Sequence, residues 1–354
     1  MKRNYYMLKI SGWLLVLLLA AGCKRNKGEL PSGSAVEVHV LGEEDGAAGT
    51  DNVQWINGDK KIFQAGFRPV CIRNFGNDIY VLGWLYDVTD EKNKIAYFKN
   101  DILHKMETTA STGGVSYQPE DIFISGNDIY IAGVKHTGSA AINGYFKNAQ
   151  WNELKIPPGY NSLYIRAVAV ADGNVHIAGT GFPSGGSNAR PVYWKNTTGV
   201  SILSALPGYA AASDIKVVAG KVYISGRNGG DKACYWTDGV RTDLPLAANM
   251  ETSGAEAILV QGADVLIAGW QQDADRDEIA CYWKNGQSPV IMSVPAGSSV
   301  LNVTGMAADG TDVYLSGEYY TGSSNEKACY WKNGTFYKLS DAESETQGIV
   351  VIKK

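Results

Sequence analysis

The chain has 354 residues, 45% of them hydrophobic and 10% aromatic, which is enough apolar material for a sizeable buried core. Its formal charge is −4 and no block of basic residues stands out, which argues against a nucleic-acid or acidic-lipid partner held by a basic surface. Neither a Gly-x-Ser-x-Gly elbow, a phosphate-cradling glycine loop nor a Cys-x-x-Cys pair occurs, so the familiar catalytic motifs are absent.

Residues 1–22 come first. Lys2, Arg3 and Lys9 supply a positive start, and Ile10–Ala21 is an apolar run too short to span a bilayer. This reads as a signal peptide. Its end, Leu19-Ala20-Ala21-Gly22-Cys23, resembles the bacterial lipoprotein box, with Ala20 in place of the commoner Leu. The resemblance implies lipidation of Cys23 and export to the outer membrane, on a face left open. An ordinary secretory peptide with Cys23 incidental is the alternative. Residues 23–35 are polar and rich in Gly, Pro and Ser, a flexible tether reaching roughly 20 Å.

From there to residue 354 one domain is expected, because a single unit recurs. A short apolar run ending in glycine appears as Val38–Gly42, Ile79–Gly83, Ile129–Gly133, Val175–Gly179, Val222–Gly226, Val265–Gly269 and Val313–Gly317. Each is followed by an aromatic run and a turn, as in Tyr97-Phe98-Lys99-Asn100 and Tyr330-Trp331-Lys332-Asn333. Asn-Gly and Asp-Gly supply the positive φ that a two-residue hairpin needs, and further glycine turns place another strand ahead of each unit. Four antiparallel strands, A to D, in a unit of roughly 40 to 50 residues predict an all-β, seven-bladed propeller. The N-terminal unit begins at strand B and the chain ends on a lone A-like strand, Gly348–Ile352. Residues 348–352 are therefore expected to join the N-terminal strands B to D and close the ring.

Cys234, Cys281 and Cys329 precede the Tyr-Trp pair where other units carry small residues, and with Cys71 they read as buried thiols. Equivalent positions on successive blades lie too far apart for disulfides. His39 and His176 stand where other units place a packing Tyr. The four histidines offer no metal spacing, and no cofactor is expected. Asp273, Asp275 and Asp277 could converge on calcium but lack the turning glycine of a calcium loop. A solvated loop with Arg276 as counter-ion is the reading preferred.

The B–C and D–A connections share one face of the ring. Immediately after the blade glycine, Glu43, Trp84, Val134, Thr180, Arg227, Trp270 and Glu318 differ from unit to unit. The ligand-contacting set expected there is Trp84, Tyr86, Arg227, Trp270, Glu318, Tyr319 and Tyr320, a mix of aromatic faces and charges that suits sugars or peptides. The repeat, Val-Tyr-Leu-Ser-Gly followed by Ala-Cys-Tyr-Trp-Lys-Asn-Gly, resembles bacterial extracellular propeller repeats of the kelch-like and HAF type. It departs from kelch in having a single glycine after strand B. The resemblance implies a propeller lipoprotein of unassigned activity, and the chain is expected to be a monomer.

Three functions compete. The first is a non-catalytic cell-envelope binding module, anchored through Cys23 and presenting the loop face to a glycan or an envelope protein. The second is a carbohydrate-active lyase or hydrolase using Glu43, Glu318 or Asp87 as acid or base, with Arg227 on an anionic group. The third is a structural scaffold of an outer-membrane assembly.

Overall fold

The computed structural model describes residues 35–354 except 48, 89–91, 107–114, 187, 204 and 323–324. The expected signal peptide, Cys23 and nearly all of the expected tether lie outside the described residues. Every regular element described is a strand, and every strand pairing is antiparallel. Five sheets have four strands each. The second runs Phe67–Phe75, Asp78–Asp87, Lys92–Lys99 and Ile102–Lys105, in the order A to D.

The protein is thus a β-propeller of four-stranded antiparallel blades, but the expected seven separate sheets are not what forms. The strands between Met250 and Lys338 make one eight-stranded sheet, joined at its middle where Glu278 pairs with Val300. The fourth strand of its first half is only Val290–Ile291 and pairs with Cys281 and Tyr282 alone. In the first sheet the C-terminal strand, Ser344–Lys353, lies beside Val36–Gly46, with Val351 opposite Val38 and Gly348 opposite Leu41.

The repeated residues hold this frame together. The turn residue after each aromatic run has φ near +50° (Asn57, Asn100, Asn148, Asn196, Asp238, Asn285, Asn333), and its side-chain oxygen accepts the amide that opens strand B. In four of these units the lysine before it pairs with the aspartate of the A–B turn, as Lys99 does with Asp78 at 2.9 Å and Lys332 with Asp312 at 2.8 Å. Indoles on strand C reach back to the preceding four-stranded unit: Trp194 to the Lys155 carbonyl at 2.9 Å, Trp283 to Pro245 at 2.8 Å and, within the eight-stranded sheet, Trp331 to Ser293 at 2.6 Å. The core fills the gaps between neighbouring sheets, where one cluster joins Tyr130 and Tyr145 to Ile177 and Trp194. Cys71, Cys234, Cys281 and Cys329 are free, buried thiols raised by desolvation. His176 stacks on Tyr193 and shares a 2.7 Å hydrogen bond with its hydroxyl.

Each A strand carries a β-bulge, and the bulge explains the blade glycine. The register against strand B slips around Val70, Glu120, Arg166, Ser213, Glu256, Thr304 and Gln347. The extra residue drives a carbonyl of strand A into the space above strand B. A Cβ on Gly83 would lie 2.1 Å from the Arg68 carbonyl oxygen, one on Gly226 2.0 Å from that of Ala211, and one on Gly269 1.9 Å from that of Gly254. Only glycine fits beneath a bulge of this kind.

Candidate functional site

The A strands are the innermost strands, and they surround a cavity of about 820 Å³. All the bulged residues line it, because a bulge turns its extra side chain out of the alternating pattern. The ring is chemically lopsided. Glu120, Arg166 and Glu256, with Arg227 and Trp270 from neighbouring B strands, make one charged arc; Thr304, Gln347 and Val70 make an uncharged one.

Within the arc, the Trp270 indole N–H donates to Glu256 Oε1 at 3.1 Å, and the Arg227 guanidinium sits 5.3 Å from the centre of the Trp270 ring. Arg227 also pairs with Asp231 at 2.9 Å. Glu120 accepts from the Gln118 amide at 2.7 Å. Burial raises the Glu120 and Glu256 carboxyls above the usual range, although each feels the positive charge of Arg166. Glu278 packs near Glu256, and burial together with that neighbour pushes it up to about 7 despite Arg227. Arg166 itself is exposed to the cavity and pairs with no carboxylate among the described residues.

Two further carboxylates on the A strands are buried. Asp121, 2% exposed, pairs with Arg73 at 2.9 Å and accepts the Val168 amide of the next sheet at 2.9 Å. Asp214 does the same with Lys216 at 2.8 Å and the Ile258 amide at 3.1 Å. These carboxylates clip one A strand to the next.

Of the residues expected from sequence, the structure brings only Arg227 and Trp270 to the cavity wall. Strand B continues past its glycine, to Asp87 in the second sheet and to Thr321 near the C-terminus, so the residues after the glycine alternate between faces instead of forming loops. Trp84 is half-buried and donates to the Tyr117 carbonyl at 3.3 Å; Tyr86 is exposed, away from the cavity. Tyr319 is buried edge-on against Phe336 at 4.9 Å, a core residue, and Tyr320 is half-buried beside it.

Glu318 is 3% exposed and accepts from the Thr346 amide at 2.6 Å and hydroxyl at 2.7 Å. Desolvation, with Glu345 and Glu326 nearby, pushes it up to about 7, and it faces Thr346, not the cavity. Asp87 is bound to Lys94 at 2.9 Å. Asp273 turns its carboxylate onto its own loop, accepting the Asp275 and Asp277 amides at 3.0 Å each. Among the described residues no cluster of His, Cys, Asp or Glu has metal-site geometry.

Glu120, Arg166 and Glu256 escape a reading that looks for variable positions after the blade glycine. The signal that finds them is a charged side chain on the A strand at one constant distance ahead of that glycine.

Fold and site together define a β-propeller with a polar, partly aromatic cavity among its inner strands. No protein-family description matches the chain, and no curated protein matches it. Among solved structures it is similar to a Mycobacterium tuberculosis puromycin-hydrolyzing peptidase at 12% identity and TM-score 0.48, covering 78% of this chain and 47% of that one. A phage phi92 endosialidase matches at 10% identity and TM-score 0.46, over 73% of this chain and 63% of the other. A six-bladed fungal lectin from Aleuria aurantia matches at 8% identity and TM-score 0.41, over 76% and 93%. The chain thus spans about half of the peptidase and less than two thirds of the endosialidase. Likenesses this loose transfer no activity.

Proposed function

We propose that this protein is a cell-envelope binding module, held at the outer membrane through lipidated Cys23, and that the cavity among its A strands receives a glycan. In this reading the eight-stranded sheet acts as two blades, giving a sevenfold ring closed by the pairing of Ser344–Lys353 with Val36–Gly46. The observation that carries the binding role is the charged arc. A cavity of about 820 Å³ is of ligand size, and the arc on its wall combines the Trp270 indole with the guanidiniums of Arg166 and Arg227 and the carboxyls of Glu120 and Glu256. Planar polar groups of this kind bond adjacent sugar hydroxyls while an aromatic face covers the ring.

The test is a thermal-shift screen of the protein against neutral and acidic oligosaccharides, since a ligand that binds only the native state raises the melting temperature. A shift lost in Trp270→Ala, with the unliganded melting temperature unchanged, supports the reading; no shift with any saccharide contradicts it.

A second reading is favoured by one observation: Glu256 and Glu278 are neighbouring carboxyls, both raised, with Glu278 at about 7. A carboxyl protonated near neutrality beside a second one is the pairing that acid–base cleavage of a glycosidic bond uses. New reducing ends released from a bound saccharide by the wild type and not by Glu256→Gln would move the protein into that class.

A further inference from the structure

We propose that the ligand is a sugar bearing a carboxylate, and that Arg166 is the residue that reads the carboxylate. This inference rests on the glycan-binding reading above and narrows it. Of the cations that line the cavity, Arg73 is committed to Asp121, Lys216 to Asp214 and Arg227 to Asp231. Arg166 has no such partner among the described residues, although its charge reaches Glu120 on one side and Glu256 on the other.

Those two carboxylates are already engaged, Glu120 by Gln118 and Glu256 by Trp270. What the arc leaves unmet is donor capacity on one cation, the Arg166 fork exposed to the cavity. A ligand that satisfies it must offer acceptors and negative charge. A cationic or purely apolar ligand would leave it desolvated, at a cost to affinity.

The shape of the donor group narrows the anion. One guanidinium presents two parallel N–H bonds that match a planar carboxylate. Across the cavity the lining at Thr304 and Gln347 is polar and uncharged, a surface that suits hydroxyls. Negative charge on one side and hydroxyls on the other describe a sugar acid.

The experiment is calorimetric titration of the wild-type protein with oligogalacturonide, oligoguluronate and hyaluronan oligosaccharides, each beside its carboxyl-reduced form, and with a carrageenan oligosaccharide that carries sulfate and no carboxylate. The expected result is that at least one acidic form binds roughly tenfold or more tightly than its reduced form and than carrageenan. Arg166→Gln should erase that preference and Arg166→Lys should keep part of it, both melting as the wild type does. Equal binding of acidic and reduced forms overturns the carboxylate assignment and leaves glycan binding standing. Equal binding of carrageenan, lost in Arg166→Gln, replaces the carboxylate by a general anion and also overturns it. A preference that survives Arg166→Gln removes Arg166 from the role. If no acidic sugar binds while a neutral one does, the inference fails alone; if no saccharide of either kind binds, the glycan reading fails with it.

Discussion

Replacing Gly269 by alanine tests the device that builds the cavity. The new Cβ would sit 1.9 Å from the Gly254 carbonyl oxygen, 2.9 Å from its carbon and 3.1 Å from Cα of Ala255, all main-chain atoms. No rotamer relieves such a contact, so strand A must move away by more than an ångström. That displaces the bulge at Glu256 and strains the ladder on both sides. Two weakened backbone hydrogen bonds and an overpacked contact add to about 3–5 kcal/mol.

Gly262 is the control. It lies in the A–B turn of the same sheet with φ +59° and nothing within 4 Å of its missing Cβ. Alanine there meets only the left-handed backbone penalty, about 1 kcal/mol. Urea unfolding followed by tryptophan fluorescence reads both, because the blade indoles Trp236 and Trp283 are fully buried. If Gly269→Ala unfolds within 1 kcal/mol of the wild type, or no more easily than Gly262→Ala, the bulge does not account for the glycine.

Glu318→Gln should flatten the pH dependence of stability. With a native value of about 7 against an unfolded carboxyl near ~4.3, the proton is held by the folded state. Stability is therefore complete at low pH and falls, by on the order of 3 kcal/mol, as pH rises from about 4.5 to 7. Melting curves of Glu318→Gln and wild type should coincide at pH 4 and separate at pH 8 in favour of the variant; separation the other way sinks the account. Asp121→Ala should cost about 2–4 kcal/mol, since it strips the Val168 amide and leaves Arg73 without its partner, and Asp121→Ala with Arg73→Met should recover part of that loss in the same assay. Gly254→Ala brings a Cβ within 2.7 Å of the Trp270 indole, so it should weaken saccharide binding more than it lowers the melting temperature. Trp84→Ala, outside the cavity, should leave binding unchanged in a titration beside Trp270→Ala.

Much of the architecture is legible in the sequence because it rests on local chemistry. Asn-Gly turns, alternating aromatic runs and a Gly-terminated strand are each dictated by backbone geometry, so they recur visibly. The eight-stranded sheet is not legible, because one contact between Glu278 and Val300 decides it and neither residue carries a pairing signal.

The site is half legible. Trp270 and Arg227 follow the blade glycine and were within reach of a reading built on that position. Glu120, Arg166 and Glu256 face the cavity only because a bulge shifts the register of their strand, and a bulge leaves its signature on the opposing glycine, not on itself. Tyr319 shows the converse error. An aromatic two residues past the glycine looks like a loop residue, yet the strand continues and packs it against Phe336.

The central claim is that the cavity among the A strands is where the ligand sits. Ser213 lines it at a bulge, is half-buried and makes no side-chain hydrogen bond among those described, so Ser213→Trp places a bulky ring at the cavity wall without removing a partner. The most direct measurement is titration of a saccharide identified by the thermal-shift screen into wild type, Ser213→Trp and Tyr86→Ala. The account predicts at least a tenfold loss of affinity for Ser213→Trp and none for Tyr86→Ala, whose exposed ring lies off the cavity. Unchanged binding by a folded Ser213→Trp, with loss in Tyr86→Ala, would place the site on the outer loops and contradict it.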